Sequence, residues 1–142
     1  MTDYASNPKA SFDYEIIEII EAGLVLKGNE VKSIKKGQAS IKGAYVKIIH
    51  DQVYLIGANI PPYQPSNTDQ NYKPDATRQI LLTKKQIASL IGLSKSHGLT
   101  MVPLKLYGKK GLVKLSVGIV RGKKNLQGVE LTLLVGQPDL FF

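Results

Sequence analysis

The chain has 142 residues, 43% of them hydrophobic, no cysteine and a formal net charge of +8. That length and hydrophobic fraction suit one domain with a real core and exclude wholesale disorder, while the missing cysteine excludes disulfides, thiolate metal sites and cysteine nucleophiles. No apolar run reaches the length of a membrane span and MTDYASNPKA at the start lacks a secretory apolar stretch, so a soluble, cytoplasmic protein without a membrane partner is expected.

Taken in chain order, residues 1–12 (MTDYASNPKASF) are polar and contain proline, and they read as an N-terminal arm. DYEIIEII, from Asp13, fits a helical face through its isoleucines and a strand through its β-branched density. A strand bent by a bulge at Gly23 is the preferred reading, with LVLKG resuming the pattern. Gly28-Asn29 opens a short helix carrying Val31 and Ile34 on one side, and Gly37 stops it. AYVKIIHDQVYLIGA predicts two strands around a tight turn at His50-Asp51. Residues 61–79 form a long loop rich in turn formers. Thr83 and Gln86 have capping-box spacing before the apolar stripe Ile87, Leu90, Ile91, and His97-Gly98 closes that helix. LTMVPLKLY and GLVKLSVGIV then predict a hairpin turning through residues 108–111. About six strands with two or three flanking helices describe a mainly β fold, a small closed or partly open barrel. The barrel is assigned residues 13–124, and 125–142 forms a separate non-basic tail.

The charge is unevenly placed. Residues 1–75 hold eight Lys/Arg and nine Asp/Glu, whereas residues 76–124 hold eleven Lys/Arg and no acid. Such asymmetry is the footprint of a polyanionic partner; a merely solubilising surface intersperses both signs. Arg78, Lys105, Lys109, Lys110, Lys114, Arg121, Lys123 and Lys124 lie on or beside the predicted hairpin. Alternate strand residues share a face, so Lys105 and Tyr107 project together. Tyr63, Tyr72 and Tyr107 offer ring surfaces for unstacked bases, although packing is the commoner role of any single tyrosine.

Catalysis has little support. His50 and His97 sit at a turn and a helix end, and no nucleophile elbow or phosphate-binding glycine loop is present. Glu15, Glu18 and Glu21 form an acidic cluster better read as a solvated strand edge than as metal ligands. Glu21, next to the proposed bulge, is the exception, because a bulge re-aims a side chain towards a partner. No catalytic residue, metal or cofactor is expected.

Four stretches, EAGLVLKGNEVKSIKKGQASIKGAYVKI (21–48), VYLIGANIPPY (53–63), TRQILLTKKQI (77–87) and VPLKLYGKKGLVKLSVGIVRGKK (102–124), together resemble the small protein B family, the transfer-messenger RNA-binding proteins of bacterial trans-translation. Asn7 also falls where the family has an Asn-Lys pair, so the likeness runs in order over roughly residues 7–124. The resemblance implies an OB-like antiparallel barrel that grips the elbow of the RNA's tRNA-like domain and delivers it to stalled ribosomes. It implies RNA-contact or site-shaping roles for Asn7, Glu21, Leu81 and Lys114, with Arg78, Arg121, Lys123 and Lys124 adding phosphate contacts, while Lys105 is a candidate RNA contact from the charge pattern and strand alternation alone. The expected partners are transfer-messenger RNA and small-subunit ribosomal RNA, with the protein a monomer. One departure is plain: relatives continue in a basic tail, whereas NLQGVELTLLVGQPDLFF (125–142) has two acids and no Lys or Arg. That apolar tail supports an alternative reading, a protein-interaction module docking a partner through residues 125–142.

Overall fold

A computed structural model describes residues 2–64, 66 and 70–122. The elements are β1 (Thr2–Ser6), α1 (Lys9–Asp13), β2 (Tyr14–Leu24), α2 (Gly28–Lys35), β3 (Tyr45–Ile49), β4 (Gln52–Ile56), β5 (Arg78–Leu81), α3 (Lys84–His97), β6 (Thr100–Lys109) and β7 (Leu112–Gly122). All seven strands form one antiparallel sheet in the order β1-β6-β7-β2-β5-β4-β3. The sheet coils until β3 lies against β6, but no ladder joins them among the described residues, so the OB-like barrel stays open.

The local signals act where they stand in the chain. His50 and Asp51 take positive φ values of 50° and 63°, the geometry a two-residue hairpin turn demands. Lys110 and Gly111 do the same between β6 and β7, at 51° and 81°. At the start of α3 the Thr83 hydroxyl accepts the Gln86 amide at 3.1 Å while Gln86 Oε1 accepts the Thr83 amide at 2.9 Å. Gly98, left-handed at φ 65°, ends that helix.

Alternation along β6 and β7 sorts two faces. Val113, Leu115, Val117, Ile119, Met101 and Leu106 point inward and join Ile34, Ile41, Val46, Leu55, Ile80, Ile87 and Leu90 in the main core. Each such fully buried aliphatic contributes about 1.5–3 kcal/mol. Val102 and Val120 face outward, where α1 covers them: Ala10 and Tyr14 complete a second, small cluster.

Two expectations are corrected. The segment expected as an N-terminal arm is part of the fold from Thr2 onward, since β1 pairs with β6 and α1 packs over the outer face. A short polar segment carries little strand signal, and its order comes from a partner about a hundred residues away. The bulge in β2 lies between Ile16 and Glu18, not at Gly23. At Gly23 the strand instead passes from one neighbour to another, pairing with Lys114 of β7 and with Leu81 of β5. A Cβ there would meet the Leu81 side chain at 3.4 Å, the near edge of ordinary van der Waals contact.

Candidate nucleic-acid interface

Directly opposed residues of an antiparallel ladder share a face. One row on the outer face therefore runs Leu81, Gly23, Lys114, Tyr107, Asp3, and the next runs Glu21, Ser116, Lys105, Ser6. Four of the site residues expected from the sequence, Glu21, Leu81, Lys105 and Lys114, meet on this surface. Asn7 follows β1 at its rim, donating its backbone N–H to the Leu104 carbonyl at 2.9 Å and Nδ2 to the Pro103 carbonyl at 3.2 Å. Those carbonyls lie at an irregularity of β6 between Pro103 and Lys105, which fixes Asn7 beside Lys105. Apolar side chains edge the face: Ile19, Val25, Leu81 and Leu112 are all exposed, Leu81 by 49%.

Glu21 is the centre of its polar chemistry. The Tyr107 hydroxyl donates to Oε1 at 2.9 Å, and Lys109 Nζ donates to Oε1 and Oε2 at 3.1 and 3.2 Å. The tyrosine hydrogen bond, then that of Lys109, holds this carboxyl below the usual carboxylate range, with the charges of Lys109 and Lys114 adding to the effect. Burial, then the hydrogen bond to Glu21 and its charge, pushes the Tyr107 phenol up to about 12. Lys105 Nζ stands 5.6 Å from the centroid of the Tyr107 ring and 3.5 Å from Asp3 Oδ1. The arrangement is an ionised acceptor set among lysines and bordered by aliphatic surface. It offers phosphate attraction, one directed acceptor and apolar area for a base or ribose.

Other expected contacts fall elsewhere. Arg78 is not a surface phosphate ligand: it is 4% exposed, and its Nη2 and Nε bond Glu30 Oε2 at 2.7 and 3.1 Å while Nη1 donates to the Ala58 carbonyl at 2.9 Å. Glu30 also accepts the Lys27 amide that opens α2, and the Tyr72 hydroxyl donates to the Ile60 carbonyl at 2.6 Å beside the pair. A guanidinium needs such complete pairing to be buried, and the network ties β5 to α2 and to the loop. Arg121, paired with Glu15 at 3.3 Å, lies on the opposite face from Glu21. The displaced bulge is the reason, because one extra residue in β2 reverses the parity between Glu15 and Glu21. Among the described residues no group of acids or histidines could hold a metal ion. Lys123, Lys124 and the tail 125–142 lie outside the described residues.

Of the three tyrosines singled out, Tyr107 and Tyr72 use their hydroxyls inside the protein. Tyr63 instead holds Lys32 of α2 and Lys36, the residue that caps its C-terminus, at 5.8 and 5.5 Å from its ring centroid. The tyrosine–carboxylate contact had no sequence signal, since 86 residues separate its partners. The one hint was the place of Glu21 beside the bulge expected at Gly23, and that bulge lies instead between Ile16 and Glu18.

Comparison with known proteins agrees with this geometry. The family model described as "SmpB protein" matches residues 4–129. An "SsrA-binding protein" of Enterococcus faecalis is 46% identical over 120 residues, covering 84% of this chain and 77% of its own. One from Chloroflexus aggregans is 44% identical, covering 84% and 76%. A solved structure described as "tmRNA-SmpB: a journey to the center of the bacterial ribosome" superposes with a TM-score of 0.67 at 38% identity, covering 86% of this chain and 85% of the other. With an open OB-like sheet, a lysine-rich outer face and identity of this extent along most of its length, the chain belongs to the SmpB family.

Proposed function

We propose that this protein binds the tRNA-like domain of transfer-messenger RNA and brings it to stalled ribosomes, as a cytoplasmic binding protein that performs no chemistry itself. Family membership supports the partner, since relatives are SsrA-binding proteins and the solved neighbour is a tmRNA-SmpB structure concerned with the ribosome. The single observation that supports the location is the carboxylate of Glu21, held among Lys105, Lys109 and Lys114 on an exposed sheet face.

The division of labour follows from the chemistry. Lys105 and Lys114 attract phosphate and set register without reading sequence. Glu21 accepts from donors that phosphate lacks, namely base amino groups and ribose 2′-hydroxyls. Leu81 and Ile19 cover apolar ribose or base surface, and Asn7 shapes the rim beside Lys105. No membrane partner enters this reading, and among the described residues no helix is long and apolar enough to cross a membrane.

The experiment is a titration of the tRNA-like domain with the parent, Glu21→Ala and Lys114→Ala proteins at several salt concentrations. With ~6–10 phosphate contacts, affinity falls by roughly 10³–10⁵ between about 50 and 200 mM salt. Lys114→Ala lowers the salt slope by about one, while Glu21→Ala weakens binding without lowering it. A flat salt profile, or unchanged binding in both variants, overturns the assignment.

A further inference from the structure

Glu21 stands on an exposed strand face, where a glutamate ordinarily samples several rotamers and pays conformational entropy to adopt one on binding. Here it does not stand free. Tyr107 reaches across β7 from β6, and its side chain is anchored by packing, only 6% exposed. Ser116, directly opposite Glu21, is small and buried. The Tyr107 hydroxyl meets Oε1 at 2.9 Å, and the same ring lies beneath the Lys105 ammonium. Lys109 also touches the carboxylate, but it does so from a flexible, half-exposed stem, so it compensates charge better than it sets direction.

We infer that Tyr107 is the positioning residue of this interface: its hydroxyl orients Glu21 so that the carboxylate presents a fixed acceptor to a hydrogen-bond donor of the RNA. The inference rests on the RNA-binding reading above and deepens it. Tyr107 itself need not touch RNA. It acts before binding, by removing the rotamer entropy that a free glutamate would lose in the complex. One aromatic side chain thereby sets an acceptor at its hydroxyl and a cation over its face, an alternation of charge that a uniform lysine surface lacks. A phosphate would be repelled from the acceptor and drawn to the cations, so the pattern favours one register of backbone over its neighbours.

The test is a double-mutant cycle on the full chain with Tyr107→Phe and Glu21→Ala, measuring affinity for a transcript of the tRNA-like domain. Tyr107→Phe keeps the packed ring and changes no charge, so it should weaken binding roughly tenfold with an unchanged salt slope. In the Glu21→Ala background it should cost nothing further, because the acceptor it positions is gone. Equal losses in both backgrounds, or none in either, overturn the inference. A parent that prefers the transcript no more than an unstructured RNA of equal length overturns the RNA reading as well. A second readout needs no RNA: the Glu21 carboxyl titration, followed by carbon NMR, should shift upward in Tyr107→Phe. A midpoint left in place shows that the hydroxyl does not hold the carboxylate, and the inference fails.

Discussion

At the scale of single residues, burial decides what a charged or phenolic group can do. Arg78 and Glu30 are 4% and 6% exposed and satisfy each other, so removing one partner strands the other charge. Glu30→Ala should destabilise the protein by about 3–5 kcal/mol in urea melts. Replacing both by well-packed apolar residues should cost far less, and neither change should remove a phosphate contact. A small effect of Glu30→Ala would show that the pair is solvated in solution. Tyr14 and Tyr107 make a second case, each pushed up to about 12, chiefly by burial. A raised phenol favours the neutral form in the fold. Its stabilisation is therefore complete below the unfolded value near 10 and is lost as pH rises through about 12. In phenolate absorbance titrations, Tyr107→Phe and Tyr14→Phe should each remove amplitude from the step near pH 12. Amplitude lost near pH 10 instead would contradict this.

Among the elements, α3 and the two tight hairpins show how much local chemistry suffices. Thr83 is exposed and its contacts are confined to the first turn, so Thr83→Ala should cost about 1 kcal/mol with the urea midpoint lowered and the slope unchanged. A larger loss would mean that the cap also organises the end of β5 at Ile80 and Leu81. β2 behaves differently. Its sequence foretells a strand but not where its register shifts, since a bulge is a property of two strands together. The shift near Ile17 sends Glu15 to one face, against Arg121, and Glu21 to the other, against Tyr107 and Lys109. The bulge thereby separates Glu21 from Glu15 and Glu18, which stay together on one face.

In the whole molecule, the acid-free segment is not acid-free in space. Among the described residues, four ion pairs join it to acids of the first half: Arg78 to Glu30, Lys105 to Asp3, Lys109 to Glu21 and Arg121 to Glu15. Only the first is buried. The exposed three are weak and screened by salt, so RNA phosphate can displace the carboxylate from them. Folding therefore spaces acids through a positive surface and leaves a pattern for an RNA to match. The tail 125–142 carries two acids and no Lys or Arg, so it offers no Lys or Arg for counterion-releasing contact with nucleic acid. Deleting it should leave affinity for the tRNA-like domain within about twofold. A loss near tenfold would instead assign the tail a part in RNA capture.

The sequence by itself determined the fold class, the hairpins and the ends of the two longer helices, because each depends on neighbours within a turn or two. Thr83 with Gln86, His50 with Asp51, and the alternation of Leu112 to Ile119 are such cases. It also supplied the family, through motifs that run in order along the chain. Tertiary structure alone decided the edge strand β1, the burial of Arg78, and the separation of Glu15 from Glu21. The reason is the same each time: register and burial depend on contacts between segments far apart in sequence, which no local pattern encodes. Glu21 shows both sides. The bulge expected at Gly23 singled it out in the sequence, but the bulge lies elsewhere, and the packed Tyr107 and the nearby Lys109 are what hold its carboxylate.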